Sequence, residues 1–255
     1  MTDAERADAE GAAEQPLAGG RGTRGVVRVG DTVRRPPRDN AAFARALLRH
    51  LEDAAPGIAP AFLGQDAQGR DMLGWIAGDV EPSLRDYDDA AVIAAARLLR
   101  RLHDSTRGTA LAGESEVACH FDCGPYNAIF RDGLPVAWID FDMAAPGRAI
   151  DDLAYLIWMW SISSQANRAP LAAQCRQVAL AVRHYGLAPA ERAGLMVAII
   201  GRIDGNIRYW EAALCDLQRV TVSEEKARVM LRWSHDERAH MLRHKTAFAA
   251  ALEAG

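Results

Sequence analysis

His120-Phe121-Asp122-Cys123-Gly124-Pro125-Tyr126-Asn127, followed after a short gap by Trp138-Ile139-Asp140-Phe141-Asp142, decides how this chain is read. The first stretch has the form His-x-Asp-x4-Asn, a weak signal by composition alone. Its neighbours strengthen it. A hairpin-like segment with the turn Asp132-Gly133 separates it from Ile-Asp-x-Asp, and a helical pattern carrying Asp151-Asp152-Leu153-Ala154 comes next.

Toward the N-terminus the pattern is that of short strands. Residues 26–29 and 32–35 are β-branched runs around Gly30-Asp31, which predicts a hairpin halted by Pro36-Pro37. Asn40 is placed to cap a helix with apolar residues at Phe43, Leu47, Leu48 and Leu51. Two more strands are expected at 61–63 and 72–76. Toward the C-terminus the chain turns helical, with periods over 90–103, 150–161, 171–184, 189–217 (with a break admitted) and 223–252. A small sheet region followed by a helical one is an α+β arrangement. The expected division is an acidic, disordered tail at 1–15, a small β-rich lobe at 16–78 and a helical lobe at 79–255.

With these residues in view, the sequence resembles the aminoglycoside phosphotransferase and choline-kinase branch of the bilobal protein-kinase-like fold. The likeness runs from about Leu17 to Leu156. Residues 25–37, Gly-Val-Val-Arg-Val-Gly-Asp-Thr-Val-Arg-Arg-Pro-Pro, also resemble a bacterial subgroup of trifolitoxin-immunity-like proteins. The resemblance implies phosphoryl transfer from a magnesium nucleotide, ATP or GTP, to a hydroxyl of a small molecule. In that reading Asp122 accepts or orients the proton of the attacking hydroxyl, and His120 buttresses the loop. Asn127 and Asp140 supply oxygens to Mg2+, a hard cation that favours such donors. Asp142 binds a second metal or holds the loop, and Asp152 anchors the catalytic loop. Such chemistry depends mainly on positioning and charge neutralisation.

The resemblance also implies a phosphate cradle and a base-binding hinge. The glycine-rich segment 19–25, with Gly20 and Gly22, is placed to offer backbone N–H groups to phosphate. Trp75 and Ile76 are placed to meet the nucleotide base. One departure stands out. Relatives hold the phosphates with a third-strand lysine paired to a helix glutamate, but Lys226 and Lys245 are the only lysines here. The role falls to Arg34 or Arg35. Arg34 is favoured, with Arg35 on the opposite face by strand alternation, and Glu52 is the only glutamate that the helix offers as a partner. Arginine is not a conservative replacement for lysine.

Composition excludes other classes. The formal charge of −4 is carried entirely by residues 1–15, so the body is neutral and does not suit nucleic acid. No apolar run reaches the ~20 residues of a membrane helix, and the N-terminus has no signal-peptide apolar region, so a cytoplasmic location is expected. Cys119, His120, Asp122 and Cys123 lack the second ligand pair of structural zinc. His240 and His244 share one helix face and are read as part of a solvated helix, while the tryptophans on apolar periods are read as core. Residues 186–255 carry nine acids against ten Lys and Arg, which argues against a polycationic acceptor. Two classes stand: a small-molecule kinase, or a catalytically weak pseudokinase-like binding or immunity protein.

Overall fold

The computed structural model describes residues 13–17, 25–81, 83–217, 220 and 222–255. Its N-terminal region is a five-stranded antiparallel sheet in the order β1-β2-β3-β5-β4. The strands are β1 (Gln15–Pro16), β2 (Val27–Val29), β3 (Thr32–Arg35), β4 (Phe62–Gln65) and β5 (Asp71–Gly74). The β2–β3 turn closes as expected on Gly30, whose φ of 57° is the positive value that a glycine-first hairpin turn requires. Helix α1 (Ala41–Ala54) packs on one sheet face through Leu47, Leu48 and Leu51.

The rest is mainly helical. A short sheet joins β6 (Asp79–Val80), β8 (Ala128–Arg131) and β9 (Leu134–Trp138), while β7 (Val117–Cys119) pairs with β10 (Ala145–Gly147). The β8–β9 turn is Asp132-Gly133 with φ of 51° and 78°, the Asp-Gly signature of a tight hairpin. Around these lie α2 (Asp89–Thr106), α3 (Ala149–Ser161), α4 (Leu171–Tyr185), α5 (Pro189–Arg192), α6 (Leu195–Cys215), α7 (Glu224–Arg243) and α8 (Lys245–Ala254). Helix α3 buries Leu153, Ala154, Leu156, Ile157, Trp158 and Trp160, as a helix apolar on most sides must. It forms the centre of the lower lobe. The fold is α+β, with an antiparallel sheet first and a helical region after it.

Several expectations are refined. The pattern at 189–217 breaks at Ala193-Gly194, where a Cβ on Gly194 would come within 3.3 Å of Ile150 Cδ1. The 223–252 pattern is two helices that meet at His244. Asn40 holds the N-cap position of α1 without capping it; its amide donates instead to the Ala144 carbonyl at 2.5 Å. The tail reading of 1–15 is corrected at its end. Gln15 pairs with Arg28, and Glu14 bonds Arg70 at 2.7 Å, because an unpaired edge at β2 and a cation at Arg70 are both on offer. Residues 1–12 lie outside the described residues.

Two of the ties between the sheet region and the helical region lie in the backbone. The chain crosses at Trp75–Gly78, where Gly78 has φ of 147° and a Cβ would strike Ile129 and Phe130 at 2.5 Å. The Trp138 N–H also donates to the Ile58 carbonyl at 2.8 Å. Among the described residues no helix is long and apolar enough to cross a membrane.

Candidate active site

The pairing of β7 with β10 sets Cys119 opposite Ala145, so the loop after β7 and the loop after β9 lie side by side. Further bonds lock them together. His120 is fully buried, and its Nε2 faces the Ile139 carbonyl at 3.0 Å while Nδ1 faces the Asp122 N–H at 3.3 Å. A carbonyl can only accept and an N–H can only donate, which assigns the proton to Nε2 and the acceptor role to Nδ1. Ile139 N–H donates to the Asn127 carbonyl at 2.9 Å. His120 therefore ties the two loops together.

Asp152 on α3 fixes the loop backbone from below. Its carboxylate accepts the N–H groups of His120 at 2.6 Å and Phe121 at 2.7 Å, and meets His103 Nε2 at 3.1 Å. The other nitrogen of His103 faces the Tyr185 hydroxyl at 2.7 Å. Burial pushes the Asp152 carboxyl up, but the hydrogen bonds from His103 and the loop backbone hold it below the usual carboxylate range. The buried His103, Cys119 and Asp152 have metal-ligand chemistry. Here His103 and Asp152 are engaged with each other, with Tyr185 and with the loop backbone.

Phe121 pays a conformational cost at this anchor: its φ of 60° is left-handed, a strained state for a bulky residue that clusters at functional sites. The strain presents Asp122. Asp122 Oδ1 accepts from Tyr155 at 2.6 Å and Tyr126 at 2.9 Å, and the two tyrosine hydroxyls lie 2.5 Å apart. Asn127 donates both to Asp122 Oδ2 at 2.8 Å and to its carbonyl at 2.9 Å. The Asn127 amide nitrogen is thereby spent, and its oxygen is left as the group to offer a cation. Burial, with Tyr126 and the Asp122 carboxylate beside it, drives the Tyr155 hydroxyl well above its ordinary value, so it stays a donor.

Asp140 has φ of 64°, a left-handed state that aspartate tolerates. Across the cleft, Arg35 Nη1 lies 3.2 Å from Asp140 Oδ1, and Nη2 lies 2.5 Å from Asp142 Oδ2. Burial raises the Asp142 carboxyl above its ordinary value, opposed by Arg35 and reinforced by the charge of Asp140.

The expectation for the arginine pair is reversed. Alternation holds, but the faces are exchanged. Arg34 is buried, donates to Thr32 Oγ1 at 3.2 Å, and pairs with Asp66 at 3.4 Å under the β4–β5 turn. Asp66 is the attractor there; it also accepts two backbone N–H groups of its own turn and the Arg70 side chain. Arg35, paired in register with Asp71, shares the face that carries α1 and reaches the acids. Glu52 lies on an exposed part of α1, and the acids that face Arg35 come from the other lobe.

The structure thus gathers His120, Asp122, Asn127, Asp140, Asp142 and Arg35, and sends Arg34 elsewhere. Trp75 and Ile76 lie at the crossing between lobes. The Trp75 N–H is already given to the Asp31 carbonyl at 2.9 Å, and its ring lies 4.2 Å from the Arg28 guanidinium. Gly20 and Gly22 lie outside the described residues, though the strands on either side of them, β1 and β2, are paired. Sequence reasoning missed Tyr126, Tyr155 and Arg202. Tyr126 sits inside the motif, and Tyr155 is three residues beyond Asp152 on the same helix face, so both carried a signal; Arg202 had none.

Comparison with known proteins bears on this arrangement. Residues 31–195 match the phosphotransferase enzyme family. The chain belongs to that family. A curated relative of this phosphotransferase-family protein is the trifolitoxin immunity protein of Rhizobium leguminosarum bv. trifolii, 31% identical over 92% of this chain and 96% of its own length. Among solved structures, the choline/ethanolamine kinase family protein of Mesorhizobium loti superposes with a TM-score of 0.61 at 18% identity, covering 99% of both chains. An aminoglycoside phosphotransferase solved as a streptomycin–ATP ternary complex gives a TM-score of 0.58 at 13% identity, covering 90% of this chain and 96% of its own. At such identities these two structures speak to the fold alone.

Proposed function

We propose that this family member transfers the γ-phosphoryl group of a magnesium nucleotide, ATP or GTP, to a hydroxyl of a small molecule. One observation carries the reading: Asp122 and Asn127 of one loop lie beside Asp140 and Asp142 of the next, and Arg35 reaches the latter two from the opposite lobe. Asp122, held by Tyr126, Tyr155 and Asn127, is the group that accepts the acceptor's proton. His120 and Asp152 act through the loop they position. The oxygen-only donor set suits Mg2+, and Arg35 between the two acids is a cation where a cation belongs. Asn127, Asp140 and Asp142 would hold the ion, whose charge would offset that of the phosphates. Arg35 is the phosphate clamp of this chain, a planar fork in place of the relatives' lysine. The bound ATP and streptomycin of the ternary-complex neighbour agree with a nucleotide and a small-molecule acceptor.

A second reading is favoured by the relative that bears the name immunity protein: a binder that keeps the fold without turnover. Thermal unfolding with Mg2+ and nucleotide separates the two at the first step. A ligand of the folded state at a hundredfold excess over Kd adds ~2.7 kcal/mol of stability. The kinase reading expects an upward shift only when both are present, and no shift at millimolar nucleotide overturns it.

A further inference from the structure

Arg202 on α6 stands 81 residues from the loop it touches. Its Nη2 donates to the Phe121 carbonyl at 2.7 Å, and its guanidinium carbon lies 4.6 Å from the centre of the Tyr155 ring. The Tyr155 hydroxyl is in turn bonded to Asp122. The Nε of Arg202 is buried and has no hydrogen-bond partner. Among the described residues no carboxylate pairs with this arginine; Asp204, two positions on, is taken by Arg238 at 2.6 Å. A half-buried cation with an idle N–H is costly, and the ring of Tyr155 offsets only part of that cost. An anion at the outer edge of this guanidinium, beside Asp122, would offset the rest.

We propose that Arg202 forms an oxyanion subsite for the acceptor, so that the acceptor is a hydroxylated compound carrying a carboxylate or phosphate. The role of Asp122 in this picture rests on the kinase reading; the anion subsite does not. Nη2 is given to Phe121 and Nε is buried, so an oxyanion would meet the outer edge of the guanidinium at Nη1, and the field there repels polycations. The γ-phosphoryl group is an oxyanion too. It is approached from the N-terminal lobe by Arg35, whereas Arg202 comes from α6, on the side of Phe121 and Tyr155. The near balance of charge in residues 186–255 points the same way.

The test uses two matched series of probes: D-glucuronate, D-glucose and D-glucosamine, and glycerate, glycerol and 3-amino-1,2-propanediol. Binding is followed by tryptophan fluorescence without nucleotide, and transfer by nucleoside diphosphate release from Mg-ATP. Arg202→Gln keeps a donor for the Phe121 carbonyl and removes the charge. Wild type is expected to bind the anionic members best, and Arg202→Gln to lose about tenfold or more of that affinity while the neutral members are unchanged. Equal binding of all three charge states by wild type overturns the proposal, as does an equal loss for all three in the variant. Weaker binding of Mg-ATP but not Mg-ADP by Arg202→Gln assigns the oxyanion to the γ-phosphoryl group and overturns the acceptor assignment. Charge preference that persists while neither protein binds Mg-nucleotide keeps the subsite and sinks the kinase reading.

Discussion

Arg35 Nη2 lies 2.5 Å from Asp142 Oδ2, so a cation of the third strand and an acid of the loop after β9 meet across the cleft. Arg34, its neighbour, is held by Asp66 inside the sheet region. Two adjacent residues of one type thus do different work, and substitution separates them.

Arg35→Ala is expected to weaken Mg-nucleotide binding by about tenfold or more, the worth of a charge-assisted contact. Arg34→Ala leaves nucleotide affinity near wild type and lowers stability by about 1–2 kcal/mol, because Asp66 keeps Arg70 and its backbone donors and loses only the longer pair to Arg34. Calorimetric titration and urea unfolding of both variants check the pair. Equal nucleotide affinity in the two variants would show that the face of β3 has been misread.

Asp122→Asn should lower phosphate transfer at least about 10²-fold, the lower range for a positioned proton acceptor, with Mg-nucleotide affinity little changed. Asp140→Ala should lose both. The measurement is steady-state transfer to an identified acceptor beside nucleotide titration. Transfer by Asp122→Asn at the wild-type rate removes Asp122 from the chemistry.

Two buried acids give stability opposite dependences on pH. The Asp152 carboxyl is lowered on folding, so its contribution is present above its unfolded value and lost as pH falls through the folded one. Removing its charge should cost about 3–5 kcal/mol near neutrality, and the gap between wild type and Asp152→Asn should narrow toward pH 3. Glu237 is raised by burial, against the opposing pull of its hydrogen bonds from Ser164 and Trp158, so its contribution is full in acid and fades as pH rises through the folded value. Glu237→Gln should therefore gain on wild type between pH 4 and pH 7. Urea midpoints across pH report both trends, and parallel curves would refute them.

The loops at the site were legible in the sequence because each is local. His120 to Asn127 is one turn-rich segment, and Asp140 follows a hairpin whose Asp-Gly turn is itself a sequence signal. The sheet-first, helices-later order was readable for the same reason. The face of Arg34 was not, since a four-residue strand with two arginines gives no asymmetry; the deciding partner, Asp66, lies 32 residues away. Arg202 is an extreme case. Nothing near it in the chain announces Phe121, and only the packing of α6 over the loop brings them together.

The Ile58–Trp138 backbone bond and the crossing at Gly78 have a mechanical consequence. Together with the Asn40–Ala144 bond they tether the sheet region to the helical region at separate points, so any opening is restrained beyond what the covalent link alone would impose. Arg35 and Asp142 stand on opposite sides of the cleft, so the distance between guanidinium and carboxylate is a direct gauge of how far it stands open.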